Sequence, residues 1–342
     1  MKKKILGVLQ YFLFAALAAF FVWLSLSGLD DQKWRQLEDA MQRAHYWLLL
    51  PVMFLLLISN WLRALRWRQL MEPLGFHPSV LNTLFGVLIG YFVNLGAPRL
   101  GEVIKCTILA RYEKAPADKL VGTILAERAF DVLCLLVVFG LTFFLQFPVL
   151  HALALNTVYP IFLNKNGRIS FYKIGYMLGG FILLLFLLRF LFSRLGHINI
   201  VQRLKGMLVN ILHGLTSIRA LRNKFLFAVY TVGIWVMYWM STWLGFFAIR
   251  ETSQLNPTDA LTVLAMGSIG IILSPGGIGA YALLVQETVA FYNIPKEPFG
   301  IALGWLLWFG QFISFVVFGV ASIILLPRVN RKKNEKTSDH PG

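Results

Sequence analysis

Apolar residues fill most of the chain in runs of roughly one bilayer thickness, separated by short polar stretches. About 20 residues of α-helix cross a hydrocarbon core. By that measure six runs predict full spans, over residues 5–26, 46–62, 121–147, 171–192, 225–248 and 299–326. Two more apolar stretches, 80–112 and 259–293, break in the middle. The first, apolar from Leu81 to Val93, gives way to Asn94-Leu95-Gly96-Ala97-Pro98-Arg99-Leu100-Gly101-Glu102; the second gives way to Ser274-Pro275-Gly276-Gly277-Ile278-Gly279. Non-helical backbone is tolerated at membrane depth only where protein buries it or a polar cavity receives it. Each broken stretch is therefore expected to form a re-entrant helical hairpin that enters and leaves on one side. The predicted fold is an all-α polytopic membrane protein of about six full transmembrane helices plus two re-entrant or broken hairpins. Residues 1–326 form one membrane domain and 327–342 a basic polar tail.

Composition agrees. The chain is 58% hydrophobic and 14% charged, with a mean hydropathy of +0.68, which excludes a soluble globular domain. A net charge of +16 raises nucleic acid as a partner, but the basic residues sit in the short loops, where they encode orientation instead. With the N-terminus inside, the cytoplasmic stretches hold 22 of the 32 lysines and arginines and the outer stretches 8. Both termini are thus expected in the cytoplasm, in a plasma or bacterial-type inner membrane. One hairpin then opens inward and the other outward, as in an inverted repeat whose half-helix tips meet near the midplane. The segment 193–224 carries six Lys or Arg and no acid. Its apolar positions Ile200, Leu204, Met207, Leu208, Ile211 and Leu215 recur at helical spacing, which fits either a basic helix lying on anionic lipid or a plain cytoplasmic connector. The run 5–26 is long for a cleaved signal peptide and reads as a retained span, although Ser25-Leu26-Ser27 resembles a cleavage site. Two cysteines, Cys106 and Cys134, and six scattered histidines give no metal-ligand or disulfide pattern, so no cofactor is expected.

The candidate chemistry is charge placed where it is costly. Arg99, Glu102 and Lys105 fall three apart after Pro98, and Glu127, Arg128 and Asp131 fall on one turn of the next span. A charge at the bilayer centre costs about 2.5–3.5 kcal/mol, so these groups must be paired, shallow or facing water. In one reading Arg99 or Arg128 holds a headgroup phosphate bidentately, Asn94 and the backbone at the Gly/Pro break assist, and Glu102, Glu127 or Asp131 carries a coupling proton. In the other, the charges form a salt-bridge network pinning the hairpin to the next span. Pro275, Gly276, Gly277 and Gly279 permit a tight unwound turn with close backbone approach, with or without a ligand. Gln286 and Glu287 follow on the returning half-helix. Arg63, Arg66 and Arg68 close the second span and read as interfacial anchors whose side chains snorkel.

The order Asn94…Pro98-Arg99-x-Gly101-Glu102, Glu127-Arg128-x-x-Asp131 and Pro275-Gly276-Gly277-Ile278-Gly279 resembles the lysylphosphatidylglycerol synthase transmembrane family over residues 55–325. The resemblance implies a flippase-like membrane domain, found alone or fused to a soluble aminoacyl-transferase domain. The stretch after Leu326 is short and polar, so lysyl transfer is not expected of this chain. Lys105 stands where an arginine is common in the family, and Tyr281 where many members have a glutamate.

The leading expectation is an integral membrane lipid flippase or transporter handling an anionic phospholipid or lipid-linked headgroup. The alternatives are a membrane-embedded transferase acting on a lipid or polyprenyl phosphate, and an accessory scaffold of a lipid synthase. No DxD, HxxxxD, HExxH, Ser-His-Asp or P-loop pattern occurs, so no catalytic residue is named and the chain alone does not use ATP. The expected partners are membrane lipid and, beyond it, a second copy of the chain or a separate lipid synthase.

Overall fold

The computed structural model describes residues 15–97, 100–147 and 221–338, with isolated positions between 170 and 179; for Asp118 and the residues after Arg331 it describes backbone alone. The start of the first predicted span, Pro98, Arg99, nearly all of the predicted span 171–192 and of the segment 193–224, and the last four residues lie outside the described residues. Among the described residues every element is helical. In chain order these are α1 (Ala15–Leu26), α2 (Asp31–Gln42), α3 (Leu49–Met71), α4 (Val80–Gly96), α5 (Leu100–Glu113), α6 (Ala117–Leu145), α7 (Lys224–Phe246), α8 (Pro257–Leu273), α9 (Ala280–Val289) and α10 (Ile301–Ser338). Four of them, with their flanking turns, are long and apolar enough to cross a membrane: Tyr46–Leu74, Lys119–Leu145, Lys224–Phe246 and Lys296–Arg331. Helices α1, α4 and α8 are apolar but shorter.

Local chemistry sets the helix starts. Ser79 Oγ accepts from the Asn82 N–H at the head of α4, and Asn223 Oδ1 from the Leu226 N–H at the head of α7. Asn256 and Asp259 form a reciprocal capping box before α8, with Pro257 in its first turn; these contacts satisfy N–H groups that a helix start leaves unpaired. Helix α3 runs past Leu62, where the hydropathy pattern ends the second span, and continues through Arg63, Arg66 and Arg68 to Met71. Two of those arginines find partners inside the bundle, so the helix carries its charge inward instead of ending at it.

The two broken stretches fold as antiparallel pairs. Helices α4 and α5 meet at Gly90 and Gly101, and α8 and α9 meet where Gly267 and Gly270 receive Tyr281. The pairs open at opposite ends of the bundle. At one end Asn82, at the start of α4, exchanges amide hydrogen bonds with Asn330 of α10 (2.9 and 2.8 Å) and reaches Glu113 at the end of α5. At the other, the head of α8 accepts from Trp239 of α7 at the Pro257 carbonyl (2.7 Å), while Asp259 accepts from Gln146 just after α6 (2.8 Å). Tyr292, after α9, donates to Thr262 at that same end. The end of α4 meets the turn between α8 and α9 within the bundle: Leu95 Cδ2 lies 3.9 Å from the point a Cβ on Gly276 would occupy.

Helix α1 packs on the second pair. Gly279 has no room for a Cβ because the α1 backbone at Val22 would stand 2.5 Å from it. Ser25 Oγ donates to Gln286 Oε1 across 2.7 Å in a buried contact. One apolar core, including Phe246, Val285 and Leu303, joins α7 to α10. A second, including Trp67, Met71, Val87, Leu109 and Leu120, joins α3 to α6. Outward faces carry large exposed apolar side chains such as Phe54, Leu136, Phe144 and Ile272, the surface a bilayer covers.

Candidate functional site: a buried ionic network beside a crevice

Three helices deliver charge to one place next to the second core. Helix α3 presents Arg63 and Arg66, α5 presents Glu102 and Lys105, and α6 presents Glu127, Arg128 and Asp131. Arg63 Nη1 lies 2.7 Å from both Glu127 Oε1 and Asp131 Oδ2. Arg66 Nη2 lies 2.6 Å from Asp131 Oδ1 and 3.6 Å from Glu127 Oε1. Lys105 Nζ bridges Glu102 Oε2 at 2.8 Å and Glu127 Oε2 at 3.3 Å. Arg128 pairs with Glu102 through Nη2 and stands 3.7 Å from Asp131 Oδ2 through Nη1. The spacing explains the meeting: Glu102 and Lys105, and Arg128 and Asp131, are i,i+3 neighbours on a helix face.

Aromatic groups hold the long cations in place. Lys105 Nζ sits 5.0 Å over the Trp67 ring, whose Nε1 donates to Thr123 Oγ1 across 2.8 Å. The Arg63 guanidinium lies 5.8 Å from the Tyr91 ring centre.

Burial decides what this network can do. The side chains of Arg66 and Glu127 are fully buried and those of Arg63 and Lys105 nearly so, whereas Arg128 is 40% exposed. Taking an ion out of water costs several kcal/mol, and only good pairing offsets it. Among the described residues the network holds four cations and three carboxylates, so one positive charge is in excess there. Among the described residues of the network, Arg63 Nε, Arg66 Nε and Nη1 and Glu102 Oε2 are buried without a hydrogen-bond partner.

The exposed edge of the network borders a narrow crevice whose lining includes Tyr91, Asn94, Gly101, Glu102, Lys105 and Arg128. A second hollow, between the heads of α3 and α10 and the end of α7, has only apolar residues and glycine around it. It offers nothing to a headgroup.

Of the residues singled out in the sequence, Glu102, Lys105, Glu127, Arg128 and Asp131 come together in this network. Asn94 lines the crevice, and its Oδ1 accepts from the Gly101 N–H at 2.8 Å, as a cap at the start of α5. Arg99 lies outside the described residues. Pro275, Gly276, Gly277 and Gly279 make the turn between α8 and α9 and line no part of the crevice. Trp308 Nε1 donates to the Gly276 carbonyl at 2.9 Å, and Gly276, Gly277 and Gly279 all take positive φ, which glycine adopts without strain. Glu287 pairs with Lys296 near the surface. The sequence reading missed Arg63 and Arg66, taken there as snorkelling anchors; the structure turns them inward, while Arg68 donates to the Pro78 carbonyl. A signal was present: Ser59, Asn60, Arg63 and Arg66 recur at three- and four-residue spacing, a polar stripe on the otherwise apolar part of the helix before Arg68.

The family model described as Lysylphosphatidylglycerol synthase TM region matches residues 11–307. The chain belongs to the lysylphosphatidylglycerol synthase TM region family. The match runs from the α1 region into α10 and contains every residue of the ionic network and both turns. With its family and its long apolar helices, the chain is a multi-pass membrane protein related to lipid synthesis or flipping. No match was found among curated proteins or among solved structures.

Proposed function

We propose that this member of the family is a lipid flippase or transporter that takes an anionic phospholipid or lipid-linked headgroup at the crevice between α4, α5 and α6. The observation that carries the reading is Arg128: the most exposed member of a buried network with one surplus positive charge among the described residues, set in a crevice that Asn94, Glu102 and Lys105 also line. A guanidinium suits the two oxygens of a phosphate. Ionisable groups inside a membrane bundle mark substrate or ion paths far more often than they serve as ornament of the fold.

The two antiparallel pairs are re-entrant hairpins in this reading, one open to the cytoplasm and one to the outside, in an inner membrane with both termini cytoplasmic. The Lys/Arg bias of the loops supports that orientation, as does the opening of the pairs at opposite ends of the bundle. Glu127 and Asp131, each in contact with at least two cations, act as the fixed frame of the site, and Arg128 as its contact with lipid.

The test is leaflet exchange in liposomes containing the purified chain, using labelled anionic phospholipids and polyprenyl phosphates. Wild type should exchange at least one of them, and Arg128→Ala should lose that exchange while keeping its elution profile and melting temperature. An unchanged leaflet distribution for every lipid, with protein folded and inserted, would sink the transporter reading in favour of a transferase or scaffold.

A further inference from the structure

We infer that Glu102 is an internal stand-in for the ligand's anion: it occupies Arg128 while the site is empty and yields that arginine to a phosphate ester carrying one net negative charge. This rests on the reading of the crevice as the headgroup site and adds what the site selects and how.

Glu102 is the carboxylate least committed to the network. Its side chain is 24% exposed, against 0% for Glu127 and 16% for Asp131. Glu127 and Asp131 are held from α3 by Arg63 and Arg66, whereas among the described residues Glu102 pairs with Lys105 and Arg128 and with neither of those two arginines. When Glu102 leaves Arg128 it keeps Lys105, one turn along its own helix at 2.8 Å. Lys105 in turn keeps Glu127. The exchange therefore strands no buried charge, which is the event that costs most in such networks. For Glu127 or Asp131 the same exchange would leave a buried arginine short of its partner.

Charge balance names the ligand class. The four cations and three carboxylates of the described network become neutral when one monoanion enters at Arg128. A phosphodiester with an uncharged headgroup supplies that single charge. A zwitterionic headgroup brings an ammonium along with its phosphate, leaves the surplus in place and adds a cation beside Lys105. Arg128 can receive two phosphate oxygens, one through the Nη2 now on Glu102 and one through the Nη1 that stands 3.7 Å from Asp131. Glu102 thus sets the threshold for entry: a ligand must be a better partner for a guanidinium than a carboxylate already in place.

The experiment is a binding isotherm on the full chain in neutral detergent, with pyrene-labelled phosphatidylglycerol as the anionic probe and pyrene-labelled phosphatidylcholine as the zwitterionic one. Glu102→Gln should tighten phosphatidylglycerol by about tenfold, the worth of one charged hydrogen-bond competitor, and phosphatidylcholine by clearly less, because its ammonium meets the surplus positive charge. Glu102→Asp, which keeps the charge but retracts it by one methylene, should give a smaller gain in the same direction. It also decides the matter if the glutamine variant does not fold. Soluble glycerophosphoglycerol identifies the source of the anion: displacement of the pyrene lipid at comparable concentration means a site for free phosphodiesters, and failure to displace means a lipid site. Equal or weaker binding of phosphatidylglycerol in both variants, or an equal gain for phosphatidylcholine, overturns the proposal. Because binding is read without leaflet exchange, the stand-in role and the transporter reading can fail separately.

Discussion

Gly101 of α5 and Gly90 of α4 meet backbone to backbone: a Cβ on Gly101 would stand 1.9 Å from the Gly90 carbonyl oxygen. That contact makes the α4–α5 pair one unit and brings Glu102 and Lys105 within reach of α6. The neighbouring Asn94 cap, 2.8 Å from the Gly101 N–H, ties the start of α5 to the same point. The site's geometry therefore depends on the absence of one methyl group.

Gly101→Ala should force α4 and α5 apart and cost about 1–3 kcal/mol or more, as overpacking of a close contact does. Gly122→Ala, on α6 with nothing within 4 Å of its would-be Cβ, is the matched control and should stay within about 0.5 kcal/mol of wild type. Melting in detergent compares them. Equal melting temperatures for the two variants would mean that the pair is not held by this contact.

The second turn separates strain from crowding. Gly75 and Gly279 both have positive φ, but the space around Gly75 is empty while Gly279 faces the α1 backbone. An alanine at Gly75 should cost only the left-handed conformation, about 1–2 kcal/mol. Gly279→Ala should cost more and also lift α1 from α9, exposing the segment between α1 and α2 to protease. Protease resistance matching that of Gly75→Ala would show that α1 does not depend on this contact.

How much of this was legible beforehand follows from what kind of signal each feature leaves. The broken runs were visible because Gly and Pro interrupt apolar sequence, and they fold into the antiparallel pairs α4–α5 and α8–α9. Glu102, Lys105, Glu127, Arg128 and Asp131 were visible because charge in an apolar run is conspicuous. Arg63 and Arg66 were misread because they lie at the end of an apolar run, where hydropathy places an interface; only their partners on α6 reveal that α3 continues inward. The place of Gly276 and Gly279 was equally hidden. Their conformation follows from residue type, but the contacts with Leu95, Trp308 and Val22 come from distant parts of the chain and leave no local pattern.

Outside the bundle, Lys33 of α2 binds Glu297 at 2.8 Å, and this hydrogen bond, together with the charge of Glu297, raises the lysine's pKa above its ordinary value. A group whose pKa is raised on folding contributes stability at pH below its unfolded value and loses it as pH rises through the folded one. Lys33→Met should therefore lower the melting temperature at neutral pH. The difference from wild type should fade as pH climbs past the ordinary lysine range, and should shrink in high salt because the pair is partly exposed. A gap that is constant with pH would assign the effect to packing of the lysine stem.

The frame of the network can be tested apart from its mouth. Asp131 contacts Arg63, Arg66 and Arg128, so Asp131→Ala leaves Arg66, among the described residues, with the 3.6 Å contact to Glu127 alone. Removing one partner of a buried pair costs about 3–5 kcal/mol, whereas replacing both by apolar groups of similar volume is often neutral. Arg66→Met combined with Asp131→Leu should thus recover most of the stability that Asp131→Ala loses. It also removes one charge of each sign, so the surplus positive charge survives and Arg128 stays paired with Glu102. Leaflet exchange should accordingly persist in the double variant at a reduced rate, while Arg128→Ala abolishes it in a folded protein. If the double variant melts as low as Asp131→Ala, Arg66 and Asp131 do not act as a pair, and the division between frame and contact group falls.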